Sequence, residues 1–132
     1  MTTTTRLVTG VDFVSVPTED IQAAIEFYTE ILGLERGKLW QKDGEDPLGA
    51  EFETGTVTIA VIAGERIGIP FQANSVPIAL HVEDVEAARA ELESKGVEFL
   101  GEIIDSGVCH MANFRDPDGN ALLLHHRYAP KG

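Results

Sequence analysis

The chain has 132 residues, 43% of them hydrophobic, enough to bury one core or two small modules sharing a core but too few for two independent domains. A formal net charge of −12, with 10 basic residues scattered along the chain, opposes nucleic acid or anionic lipid as a partner. No apolar run approaches the roughly 20 residues of a membrane span, the opening residues lack a secretory h-region, and the single cysteine, Cys109, has no partner for an internal disulfide, so a cytoplasmic protein is expected.

In chain order, Thr2 to Thr5 read as a frayed tail, and a first strand is expected over residues 10–16. Asp20 then caps a helix whose apolar stripe is Ile21, Ala24, Ile25, Tyr28 and Leu32, and Gly33 stops it. Three short strands are expected over 34–41, 50–53 and 56–63, with turn chemistry in 42–49 and a tight hairpin at Thr54-Gly55. Residues 64–75, broken by Gly64, Gly68 and Pro70, form a connector, read either as a surface linker or as a partial lid over a cavity. The pattern then restarts, because Asp84, Ala87 and Ala88 stand 64 positions after Asp20, Ala23 and Ala24. A strand over 76–82, a helix over 85–94 using Val85, Ala88 and Leu92, a stop at Gly96, and strands over 97–100, 108–115 and 121–127 complete the second copy. Each half reads β-α-β-β-β. The last two strands are joined by Arg115-Asp116-Pro117-Asp118-Gly119-Asn120, where Pro presets φ and Gly supplies a positive one: mechanically, a tight turn.

Three motifs in this order, Phe27-Tyr28 before Leu32-Gly33-Leu34, the helix opening Asp84-Val85-Glu86-Ala87-Ala88, and Phe114-Arg115-Asp116-Pro117-Asp118-Gly119-Asn120, resemble the vicinal oxygen chelate superfamily. That superfamily includes glyoxalase I, bleomycin and fosfomycin resistance proteins and extradiol dioxygenases. The resemblance covers about residues 8–128 and implies an α+β fold in which two βαβββ modules, about 8–63 and 76–128, form a curved mixed sheet with one concave cavity, commonly in a homodimer. The whole chain, 1–132, is then a single domain. Fold alone does not fix function, since this fold hosts several chemistries and binding roles.

In metal-bearing members the ligands come from the first and last strands of each module. Carried onto this chain, those positions are Phe13, Pro77, Leu123 and, within one residue, Ala60, and none offers a side-chain nitrogen, oxygen or thiolate. The resemblance therefore implies no metal and no cofactor. Strand alternation puts His81 and His125 on the same face as Pro77 and Leu123, and sends His126 to the opposite face. With Glu51, Glu53 or Cys109 these two histidines supply donors for a relocated metal site, though no ligand spacing demands one; otherwise they are ligand anchors, a general base, or ordinary strand residues. Ala112 and Phe114 suit packing beneath a helix, which turns Cys109, Met111 and Asn113 toward the cavity, and Trp40 is either an aromatic platform for a ligand or ordinary packing.

The expected function is metal-independent binding of a small, partly apolar or aromatic organic molecule by Phe13, Trp40, Ala60, Pro77, His81, Met111, Asn113, Leu123 and His125. The alternatives are an enzyme of the superfamily, a lyase, isomerase or dioxygenase-like protein working metal-free with a His base or with displaced metal ligands, and a dimeric module whose pocket has closed.

Overall fold

The computed structural model describes residues 6–130, so the threonine tail at 2–5 lies outside the described residues. The order of elements is β1 (Phe13–Pro17), α1 (Ile21–Glu26) running into a π-helical turn (Phe27–Ile31), β2 (Glu35–Trp40), β3 (Gly49–Glu53) and β4 (Thr58–Ile62). A 3₁₀ turn (Gly64–Ile67) opens the connector, and β5 (Ile78–His81), α2 (Val85–Ser94), β6 (Phe99–Asp105), β7 (Cys109–Arg115) and β8 (Ala121–Arg127) follow. The fold is α+β, and the repeat seen in the sequence is real. β1 begins three residues later than the sequence suggested, and β6 runs on to Asp105 because a bulge between Leu100 and Ile104 lets pairing with β7 resume.

Each module makes its own four-stranded mixed sheet, in the orders β1-β4-β3-β2 and β5-β8-β7-β6, and neither closes into a barrel. The first strand of each module lies parallel to its last, and the other pairings are antiparallel. The registers repeat as well: Ser15 pairs with Ala60 in the first sheet, and Ala79, sixty-four positions after Ser15, pairs with Leu123 in the second. Ala60 and Leu123 are thereby structural counterparts. Both sheets also carry a register shift at the same step, between Arg36 and Leu39 in β2 and between Leu100 and Ile104 in β6.

Both helices start as the sequence dictates. Asp20 Oδ1 accepts from the Ala23 backbone N–H at 3.1 Å, and Asp84 Oδ1 from that of Ala87 at 3.0 Å, each satisfying a donor in the first turn. α1 does not stay α-helical to Leu32. Its last turn widens, with the Leu32 N–H donating to the Phe27 carbonyl at 3.0 Å, and this places Phe27 beside Tyr28 in the core although the 3.6-residue stripe contains only Tyr28.

Alternation along the strands divides each sheet into two faces. Val14, Val16, Ala50, Phe52, Ile59 and Val61 of the first sheet, and Ile78, Leu80, Ala112, Phe114, Leu122 and Leu124 of the second, pack against the helices in one core. Tyr28 stacks on Phe52 with ring centroids 5.2 Å apart, and Phe99 meets Phe114 at 5.1 Å. The opposite face of each sheet carries no helix.

The DPDGN turn joins the modules. The Asp116 carboxylate accepts from the Asp118 and Asn120 backbone N–H groups through Oδ1, at 3.0 and 2.9 Å, and from Tyr28 Oη and Asn120 Nδ2 through Oδ2, at 2.7 and 2.9 Å. Asn120, wholly buried, also donates to the Pro17 carbonyl at 2.8 Å and accepts from the Asn74 N–H at 2.9 Å. Asn74 Nδ2 in turn donates to the Ser15 carbonyl at 3.3 Å. Burial and the adjacent Asp116 carboxylate push the Tyr28 phenol far above the ordinary tyrosine range. A segment that reads as a turn is also the polar latch between the two halves.

Candidate functional site

The helix-free face of the second sheet is built in cross-strand rows. Pairing sets Leu100, Asn113, Leu123 and Ala79 side by side, and in the next row Ile104, Met111, His125 and His81. Asn113, Met111, Leu123 and His125 are each partly exposed, so this face is apolar with a few polar groups set into it. Cys109 shares their phase but is buried and free. At one end of the face lies an open groove of about 520 Å³, lined by Pro77, Leu100 and Asn113 from this face, Ala73 to Ser75 from the connector, and Arg115. The connector thus supplies one wall of the groove.

The helix-free face of the first sheet is more polar. Ser15, Ala60 and Glu51 form one row, and Thr58 beside Phe13 donates from its hydroxyl to Glu53 Oε2 at 2.9 Å. Trp40 lies over Gly49, where an added Cβ would stand 2.8 Å from Trp40 Cε3 and 3.0 Å from the Val61 carbonyl oxygen. Gly49 therefore leaves the space that the indole edge occupies beside β3. Phe13 remains 47% exposed at the start of β1, an aromatic ring without cover on that side.

Of the nine candidate residues, Phe13, Trp40 and Ala60 lie on the first sheet and the other six on or beside the second. Pro77 and Asn113 meet in the groove, and Met111 and His125 are direct register partners. His81 is the register partner of His125, but β5 ends there, and its imidazole contacts Glu83, with Nε2 3.2 Å from Oε1, and lies 5.9 Å from the His126 ring. Glu51 and Glu53, on the other sheet, are not gathered with His81 and His125. Groove residues outside the nine candidates include Leu100, Ala73 to Ser75 and Arg115. The odd-numbered phase through Met111 and Asn113 extends to Arg115, the last residue of the expected strand over 108–115, and is the signal that points to it. A second recess, of about 340 Å³ between the ends of the two helices, contains none of the nine.

The family metal positions do not fit a metal. Phe13, Ala60, Pro77 and Leu123 present only carbon from their side chains, and nothing in the chemistry of this donor set replaces the missing ligands.

Paired βαβββ modules, each with a helix-covered and a helix-free sheet face, define the class of protein to which this chain is assigned. It belongs to the Glyoxalase/Bleomycin resistance protein/Dioxygenase superfamily, whose sequence model matches residues 10–124. Among relatives it is similar to YetH, an uncharacterized protein of Bacillus subtilis (strain 168), with 29% identity over 117 residues that cover 84% of this chain and 92% of YetH. Among solved structures it resembles TnmS3, an antibiotic binding protein from Streptomyces sp. CB03234, with a TM-score of 0.76 and 23% identity over 93% of this chain and 99% of that one. A superfamily member from Sphaerobacter thermophilus DSM 20745 gives a TM-score of 0.77 at 21% identity, covering 91% of this chain and 98% of the other. Among the described residues no helix is long and apolar enough to cross a membrane.

Proposed function

We propose that the protein binds a small, partly apolar or aromatic organic molecule without a metal ion. Phe13, Ala60, Pro77 and Leu123 serve as walls, Met111, Asn113 and His125 as the principal contacts, and Trp40 and His81 lie at the margins. The observation that carries this reading is the replacement of all four family ligand positions by carbon-only side chains, with polar orienters kept on the second sheet beside Leu123: Asn113 in its own row and His125 in the next. Apolar walls with a few placed polar groups are the usual recipe of a small-molecule site, and the 520 Å³ groove is of the size such sites have. TnmS3, which shares the fold, is an antibiotic binding protein, and a binding role of that kind is in keeping with this reading.

The protein acts as a homodimer in this reading. Support comes from Val11, Phe13 and Val76, which are 64%, 47% and 79% exposed near the leading ends of β1 and β5, and from helix-free faces that a second copy would cover. The test is a thermal-shift screen of aromatic small molecules against chelator-treated protein. A ligand at 100 times its Kd stabilises the fold by about 2.7 kcal/mol. Stabilisation that persists in chelator supports the reading; stabilisation that appears only after metal is restored overturns it.

A further inference from the structure

Among the described residues, His81, Glu83 and His126 bring three metal-capable donor atoms within 4.8 Å of one another. The cluster is assembled within the second module from two segments that the sequence separates by more than forty residues: the end of β5 with the turn into α2, and the end of β8. It is distinct from the four carbon-only family positions and does not rest on the function proposed above.

Its three members are held differently. His126 Nδ1 lies 3.1 Å from the Val82 carbonyl oxygen, a contact satisfied by an N–H, which fixes the tautomer and leaves Nε2 with its lone pair free. An imidazole oriented by a backbone carbonyl is the usual arrangement of a metal-ligating histidine. His81 Nε2 and Glu83 Oε1 share a hydrogen at 3.2 Å, and their side chains are 67% and 90% exposed. The exposed pair is free to rotate, whereas His126 is anchored. Two donors bonded to one Zn²⁺ at about 2.0–2.1 Å in tetrahedral geometry stand about 3.4 Å apart, so rotation of His81 and Glu83 by an ångström or so closes the set. Asp84, next in the chain, is not available, since its Oδ1 caps α2.

We infer that His81, Glu83 and His126 form a binding site for a divalent late transition-metal ion of the Zn²⁺ class. Two imidazoles and one carboxylate suit Zn²⁺, Ni²⁺ or Cu²⁺ and leave at least one coordination position for water or a donor atom of another molecule. On binding, the ion takes the place of the hydrogen between His81 and Glu83, which shifts from Nε2 to Nδ1 of the same ring. The net charge of −12 favours any cation at this surface, so the test has to separate a built site from general attraction.

Chelator-treated full-length protein is titrated with Zn²⁺ by calorimetry and with Co²⁺ by visible absorbance at physiological ionic strength. The expected result is one ion per chain with a Kd on the order of 10 μM, weakened about tenfold or more in His126→Gln and in Glu83→Gln. His110→Gln is the control: His110 Nε2 lies 3.4 Å from Asp105 Oδ2, a histidine–carboxylate pair without a third donor, so its loss leaves the binding unchanged. Absence of saturable binding below about 1 mM, or equal weakening in His110→Gln, overturns the inference. Should His126→Gln fail to fold, Glu83→Gln, altering a side chain 90% exposed, decides the matter alone.

Discussion

Removing the Tyr28 hydroxyl tests whether the DPDGN turn holds the two modules together. Tyr28 is wholly buried, and its hydroxyl donates to Asp116 Oδ2 at 2.7 Å while its ring stays stacked on Phe52. Tyr28→Phe keeps the ring and deletes one of the four hydrogen bonds that the carboxylate accepts. A hydrogen bond to a charged group contributes about 1.5–3 kcal/mol, and that is the loss expected in the free energy of unfolding by urea. Asp116→Ala costs more, because Asn120 Nδ2 and two turn N–H groups lose their acceptor along with Tyr28. In a double-mutant cycle the coupling between the two positions should be about 1.5–3 kcal/mol. High pH gives an independent reading. The folded-state pKa of Tyr28 lies above its unfolded value, so the native state holds this proton more tightly. The resulting stability is fully present below about pH 10 and is lost as the pH rises beyond it, by about 1.4 kcal/mol per unit. Subtracting Tyr28→Phe from the parent isolates that slope. A coupling below about 0.5 kcal/mol, with no difference in slope above pH 10, would refute the latch.

Gly49→Ala should cost about 1–3 kcal/mol, since its Cβ would stand 2.8 Å from the Trp40 ring, and the emission of this lone tryptophan should shift; an unchanged spectrum and stability would mean that the indole lies elsewhere. Light scattering at micromolar concentration should give the mass of a dimer, and Phe13→Asp should drive it toward monomer by placing a charge on a ring that is 47% exposed at the start of β1. A parent protein that is monomeric at that concentration counts against the dimer. Asn120→Ala should destabilise the chain by about 1–3 kcal/mol in urea, because Asp116 loses a buried donor and the part-buried Pro17 carbonyl and Asn74 N–H each lose their partner; a loss under about 0.5 kcal/mol would show that water replaces it.

The fold was largely legible because its signals are local and occur twice. Asp20 and Asp84 cap helices wherever the chain goes, and the same alternation that buries Val14 and Val16 buries Leu122 and Leu124. The widened turn at Phe27 was not legible, since a stripe of 3.6-residue period has no place for an extra residue per turn. Nor was the reach of Asp116 to Tyr28 across 88 positions, which depends on how the modules pack and leaves no trace in spacing. The candidate site divides along the same line. Placing Met111 and Asn113 opposite Ala112 and Phe114 needed only the alternation of a strand, whereas the direction of His81 depended on β5 ending at that residue and on Glu83 and His126 being close by.

Metal-independent ligand binding is tested most directly by calorimetry on chelator-treated protein, using the strongest hit of the aromatic screen and comparing the parent with His125→Ala. The account predicts binding undiminished by chelator in the parent. In the variant it should be weaker by about 1–3 kcal/mol, roughly five- to 150-fold, because a polar group of the ligand is left buried without its partner. Binding that vanishes in chelator and returns with added metal, or that is as tight in a normally folded His125→Ala as in the parent, would contradict it.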